Sequence, residues 1–158
     1  MFVALLAALF LPMRLVSAGG GSVIPNGCED AYDSGDYEVI FAVAGDVTEG
    51  GSGSQLIIGS SGDDWIDAGS GNDIVCGGGG YDIIYGGSGN DILNGNGHYD
   101  DLYGESGNDQ LFGNAADFDF AFGGSGGDYL DGGAGGGDWC VGNSGTDEFS
   151  NRCEDIEQ

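Results

Sequence analysis

The chain has 158 residues, with 36 glycines and 27 acidic residues against two basic ones, Arg14 and Arg152, for a formal net charge of −25. That balance excludes nucleic acid and an anionic membrane surface as partners, because phosphate recognition needs Lys and Arg. It points to a cation as the natural partner.

Taken in chain order, residues 1–18, "MFVALLAALFLPMRLVSA", form an apolar run too short to span a bilayer. The run ends in "VSA", a small-residue pattern that precedes signal-peptide cleavage, although no basic residue stands before it. The expectation is a cleaved secretory signal and an extracellular protein with no membrane span after cleavage. The alternative is a retained segment that packs on the domain or on a second copy. Residues 19–58 read as an N-terminal cap or β segment, in which "YEVIFAVAG" has the character of a strand.

From Gly59 the sequence falls into rows of nine: GSSGDDWID, AGSGNDIVC, GGGGYDIIY, GGSGNDILN, GNGHYDDLY, GESGNDQLF, GNAADFDFAF, GGSGGDYLD, GGAGGGDWCV and GNSGTDEFS. The seventh and ninth carry one extra residue, and a related row with Gln in place of Asp, GGSGSQLII, begins at Gly50. Acidic, glycine-rich composition alone suggests disorder. A fixed period with 40% hydrophobic residues argues against it. Six residues of each row predict a turn and three a short strand. Side chains alternate along a strand, so place eight points inward: Ile66, Val75, Ile84, Leu93, Leu102, Leu111, Ala121, Leu130, Cys140 and Phe149. One such residue per row buries little, so the rows must stack. Two rows make one coil and give two parallel sheets back to back. Residues 59–150 are the predicted stack, and residues 151–158 a polar C-terminal cap.

Glycine permits left-handed turns and leaves carbonyls exposed. Calcium takes six to eight oxygen ligands, carboxylate and carbonyl alike. Even rows keep Gly at place four (Gly71, Gly89, Gly107, Gly126, Gly145) and Asp at place six (Asp73, Asp91, Asp109, Asp128, Asp147). Odd rows lie on the opposite edge and are less regular. Asp64, Asp82 and Asp100 hold place six, while Asp119 and Asp138 follow insertions and are the weaker candidates. His98 stands where glycine is expected and reads as a tolerated turn substitution. A lone histidine and cysteines without C-x-x-C spacing argue against zinc. No Ser-His-Asp, Cys-His or H-E-x-x-H constellation can be assembled, so the chain reads as non-enzymatic.

These rows resemble the calcium-binding nonapeptide of RTX (hemolysin-type) proteins, G-G-x-G-x-D-x-U-x. The chain also resembles small secreted bacterial calcium-binding proteins with cysteines placed as Cys28, Cys76, Cys140 and Cys153 are here. The resemblance implies an all-β fold, a parallel β-roll or right-handed β-solenoid. It implies calcium ions between stacked turns, held by the place-six aspartates and main-chain oxygens. It also implies the bridges Cys28–Cys76 and Cys140–Cys153 among the three connectivities open to four cysteines. An even cysteine count suits an oxidising compartment.

Outward places of the odd rows carry Trp65, Tyr85, Tyr103, Phe120, Phe122 and Trp139, an aromatic strip large enough to need a cover or a partner. One expectation is cover by the N-terminal segment. The others are self-association into calcium-dependent filaments or contact with a glycan or another surface. Ice binding ranks low because Thr is almost absent. A secretion module detached from a larger hydrolase fits poorly with the apparent signal and the cysteine-closed end.

Overall fold

The computed structural model describes Cys28, Ala31, residues 36–116 and residues 118–157. The apolar run 1–18, with its expected cleavage, lies outside these residues. In chain order the strands are β1 (Glu38–Phe41), β2 (Val47–Ser52), β3 (Gln55–Ile58), β4 (Trp65–Ser70), β5 (Ile74–Gly79), β6 (Ile83–Ser88), β7 (Ile92–Gly97), β8 (Asp101–Ser106), β9 (Gln110–Ala115), β10 (Phe120–Gly126), β11 (Tyr129–Asp131), β12 (Trp139–Gly145), β13 (Glu148–Phe149) and β14 (Asp155–Glu157). They form two seven-stranded parallel sheets, β1-β3-β5-β7-β9-β11-β13 and β2-β4-β6-β8-β10-β12-β14. Successive strands thus alternate between sheets, so two rows make one coil of an all-β, parallel β-roll. Among the described residues no helix is long and apolar enough to cross a membrane.

Register follows the repeat. Val75 pairs with Leu93 and Leu93 with Leu111, each eighteen residues on. Leu111 pairs with Leu130 and Ala121 with Cys140, one residue later, because the extra residues of rows seven and nine are absorbed in turns. Phe118 takes up part of that slack with a left-handed backbone, φ 72°. The place-eight side chains form one continuous core. Ile66, Val75, Ile84, Leu93, Leu102, Leu111, Ala121, Leu130 and Cys140 are buried, and Phe149 packs against the open end. The core is one side chain thick on each sheet, so no coil can bury its apolar surface without the coils above and below.

The N-terminal β segment contributes β1 to β3, and β1 pairs with β3 from Glu38↔Gln55 to Phe41↔Ile58. A second apolar cluster covers the outer face of the first sheet at this end. It joins Cys28, Leu56, Ile58 and Cys76, with Ala31, Tyr37, Val39 and Ile74 packed around them. The expected cover of the aromatic strip is therefore not what these residues provide. They lie on the first sheet, whereas the strip is on the second, where Trp65 is 50% and Trp139 45% exposed. The reason is pairing. β1 pairs along its whole length with β3, and Cys28 is tied to Cys76 on the same face.

Both bridges implied by the resemblance are formed. Cys28 joins Cys76 (Cα–Cα 6.4 Å) and Cys140 joins Cys153 (Cα–Cα 5.7 Å). The first ties the N-terminal segment to the early coils across 48 residues, and the second pins the last ones. Cross-links of this kind narrow the unfolded ensemble, the longer loop more so.

Candidate metal centre

The turns stack along two edges, and the place-six aspartates form a ladder on each. On the edge leading into the first sheet, the main-chain N–H of Gln55 donates to Asp73 Oδ1 (2.7 Å). Asp73 N–H donates to Asp91 (2.8 Å), Asp91 to Asp109 (2.9 Å), Asp109 to Asp128 (2.9 Å) and Asp128 to Asp147 (3.0 Å). On the other edge Asp64 donates to Asp82 (2.9 Å), Asp82 to Asp100 (2.9 Å), Asp100 to Asp119 (2.8 Å) and Asp119 to Asp138 (3.0 Å). Asp119 and Asp138, placed in doubt by their insertions, stand in the same ladder as the rest. All these aspartates are buried except Asp147, which is half-buried at the end of the stack.

Every carboxylate but that of Asp64 uses one oxygen in this way; Asp64 instead accepts the Ser60 N–H of its own turn (2.6 Å). The second oxygen of Asp73, Asp82, Asp91, Asp100, Asp109, Asp119 and Asp128 is buried with no hydrogen-bond partner, and so is Oδ1 of Asp64. A buried charge without compensation is among the most costly features a fold can carry. The titration behaviour reflects this. Burial pushes Asp100 up to about 8, Asp82 and Asp109 to about 7, and Asp91 and Asp119 to about 6. The main-chain N–H bonds oppose the shift, and neighbouring carboxylates in the ladder add to it. Asp73 and Asp128 are raised for the same first reason, burial.

Glycine makes room for the second oxygen. A Cβ on the place-one residues Gly77, Gly95 or Gly104 would lie 2.3, 2.3 or 2.6 Å from the orphan oxygen of Asp82, Asp100 or Asp109. Place four of the even rows is tighter still. Gly89, Gly107, Gly126 and Gly145 have φ between 133° and 148°. A Cβ there would sit 1.3–1.5 Å from the carbonyl oxygen of the place-four glycine one coil earlier. The edge is thus a column of carboxylate and carbonyl oxygens brought together by turns that exclude side chains. Among the described residues no three His, Cys, Asp or Glu side chains converge on one point. A hard cation would therefore draw on one or two carboxylates and the main-chain oxygens around them, a donor set suited to calcium.

His98 occupies the odd-edge place four with φ 71°, is exposed, and accepts the Gly80 N–H through Nδ1 (3.2 Å). That is a turn role. Three features escaped the sequence reading. Asn72, Asn90 and Asn108 form an outer ladder beside the aspartates. Asn72 Oδ1 accepts the Asn90 N–H, Asn90 Oδ1 that of Asn108, and Asn108 Oδ1 that of Gly127, each at 2.8 Å. The recurring "GND" triplets were the available signal. Gln55 begins the even ladder without a charge and accepts the Gly51 N–H in its own turn (3.2 Å). Glu154 closes the odd edge by accepting the Gly137 N–H (2.7 Å).

The chain matches the family described as RTX calcium-binding nonapeptide repeat, in four copies, over residues 49–84 and 85–117. No curated protein matches it. The later rows, from Ala121 to Phe149, continue the same sheets beyond the matched span. Nonapeptide period, stacked parallel coils and aspartate-lined turns agree with that match, so residues 49–117 are RTX calcium-binding nonapeptide repeats.

Proposed function

We propose that the protein is an extracellular, non-catalytic calcium binder whose ions complete the fold. Asp73, Asp91, Asp109, Asp128 and Asp147 serve one edge, and Asp64, Asp82, Asp100, Asp119 and Asp138 the other. Main-chain oxygens around Gly71, Gly89, Gly107, Gly126 and Gly145 join the first set. The observation that carries this reading is the buried, unpartnered carboxylate oxygen repeated from coil to coil. A divalent ion between turns supplies the missing counter-charge and cross-links successive coils, so binding energy becomes folding energy. Two disulfides suit an oxidising, extracellular setting. The single histidine is exposed in a turn, where its Nδ1 accepts the Gly80 N–H.

The test compares edges. Asp109 and Asp119 have the same burial and the same interturn hydrogen bond. Asp109→Ala and Asp119→Ala are therefore expected to shift the calcium midpoint of folding to higher concentration by similar factors. A calcium titration followed by circular dichroism reads this. A midpoint unchanged in both variants would refute ligation by the ladder.

The aromatic strip favours a second reading, calcium-dependent self-association. Rings run without a break from Trp65 to Tyr85 (6.4 Å), Tyr103 (4.9 Å), Phe120 (5.8 Å) and Trp139 (6.4 Å). The ring planes of Tyr85 and Tyr103 lie within 12° of parallel, and so do those of Phe120 and Phe122, with centroids 6.5 Å apart. A continuous row of rings of this kind suits contact with another packed protein surface. Roughly eight divalent ions would offset more than half of the −25 charge that otherwise keeps copies apart. Light scattering in calcium should show association of the wild type that Tyr103→Lys and Phe120→Lys abolish. A monomeric wild type at high concentration would exclude it.

A further inference from the structure

The outer places of the even edge are regular through Asn108 and then change. Asn72, Asn90 and Asn108 stand at place five, each accepting a main-chain N–H of the next coil through Oδ1. Gly127 follows, with no side chain, and then Thr146. Place seven changes over the same coils. Ile74 pairs with Ile92 and Ile92 with Gln110, but Gln110 pairs with Tyr129 and Tyr129 with Glu148. Gln110, Thr146 and Glu148 are exposed and Tyr129 is half-buried, so these departures from the repeat do not serve the core. A local break in an otherwise consistent pattern is where a functional demand shows.

The two departures meet at one point. Where Gly127 interrupts the asparagine column, a notch of about 290 Å3 opens, and Asn108, Gln110, Tyr129, Thr146 and Glu148 are among its walls. The turns around it are fixed. Asn108 Oδ1 holds the Gly127 N–H (2.8 Å), and the Thr146 N–H donates to Gly126 O (3.2 Å). Phe112 braces the Tyr129 ring, with centroids 5.8 Å apart and planes at 50°. A site ordered in advance loses less entropy on binding.

The notch therefore offers two side-chain amides, a hydroxyl, a carboxylate and one aromatic ring. Its volume lies just under the range of small-molecule pockets, about 300–1,000 Å3, which suits a single polar ring. Glu148 and the −25 net charge repel phosphates, sulfates and uronates. A purely apolar ligand would strip water from the amides and the carboxylate without replacing its hydrogen bonds. A neutral sugar meets both demands, with a C–H face for the ring and hydroxyls for the polar groups.

We propose that this notch binds one unit of a neutral saccharide chain. Tyr129 supports the sugar ring, Gln110 and Glu148 bond its hydroxyls, and the missing side chain at Gly127 admits it. The sugar touches protein side chains only, so the site goes beyond the calcium reading and leaves the ladders to their ions.

Heteronuclear NMR of the full chain in calcium tests it, with cellohexaose, maltohexaose, mannohexaose and chitohexaose as probes and a hyaluronan hexasaccharide as the anionic control. At least one neutral probe is expected to shift the amide signals of Gly127, Tyr129 and Thr146, with a Kd of about 1 mM or below. Hyaluronan should leave them in place. Gly127→Asn restores the residue of the earlier coils. Its new Cβ would meet Thr146 O at 3.2 Å and Asn108 Oδ1 at 3.4 Å, so the variant should still fold in calcium while its side chain fills the notch and abolishes binding. Tyr129→Ala, with circular dichroism as the folding control, should weaken binding roughly ten-fold or more. No shift with any neutral probe, equal shifts with hyaluronan, or binding unchanged in Tyr129→Ala would overturn the site.

Discussion

In chelator at pH 8 the protein is expected to lose most of its β structure by circular dichroism, and to regain it cooperatively as calcium is added. The cause is the ladder. Burial raises Asp82, Asp91, Asp100, Asp109 and Asp119 to between about 6 and about 8, against an ordinary value of 3.8. The ion-free roll therefore binds protons more tightly than the unfolded chain does. The resulting destabilisation is absent below about pH 4, grows as pH rises through the raised values, and is complete above about pH 8. Without calcium, then, more β structure should survive at pH 5 than at pH 8. Calcium reverses the order, because protons compete with the ion for the same oxygens. Each site filled a hundred-fold above its Kd adds about 2.7 kcal/mol, and several coupled sites add to a steep transition. Magnesium should substitute poorly, since it demands a small octahedron and dehydrates reluctantly. A spectrum identical in chelator and calcium would sink the coupling of ion to fold.

Gly107→Ala is expected to prevent folding at any calcium concentration. The new Cβ would lie 1.5 Å from Gly89 O, and the backbone there has φ 148°, which L side chains rarely adopt. The carbonyl it would strike belongs to the neighbouring coil, so the turn cannot move without opening the stack. Overpacking combined with a forbidden backbone belongs with the largest single-site losses, about 4 kcal/mol or more. His98→Gly, at the same place on the other edge, should fold as the wild type does, because that turn already accepts a side chain at φ 71°. A Gly107→Ala protein with a normal calcium titration would show that the even-edge turns are looser than the structure describes.

Much of this was legible because a stack reads the same place in every coil. Place eight from Ile66 to Cys140 was assigned to the core from alternation alone, and those residues are buried. The aspartates were found by period, since a carboxylate recurring every nine residues beside glycine has no apolar role to play. The two insertions left the positions of Asp119 and Asp138 open, and the structure sets both in the ladder. A sequence shows that a residue has been added but not whether the turn can absorb it, and Phe118 in a left-handed conformation is part of the answer. The asparagine ladder was visible as triplets, but nothing local says that an Asn side chain will reach the next coil.

The sequence by itself determined the nonapeptide period, the inward and outward faces of each strand, and two acid-lined edges, because all three follow from geometry repeated within nine or eighteen residues. Only the tertiary structure decided where the irregular ends go. β1 takes its place beside β3, and the Cys28–Cys76 bridge lies on the first sheet, whereas Trp65 and Trp139 of the aromatic strip are exposed on the second. Gln55 and Glu154 finish the two edges, and Asp64 turns one oxygen back to the Ser60 N–H of its own turn. Those placements depend on main-chain pairing and on contacts between segments tens of residues apart, and no local pattern specifies which face a non-repeating segment will join.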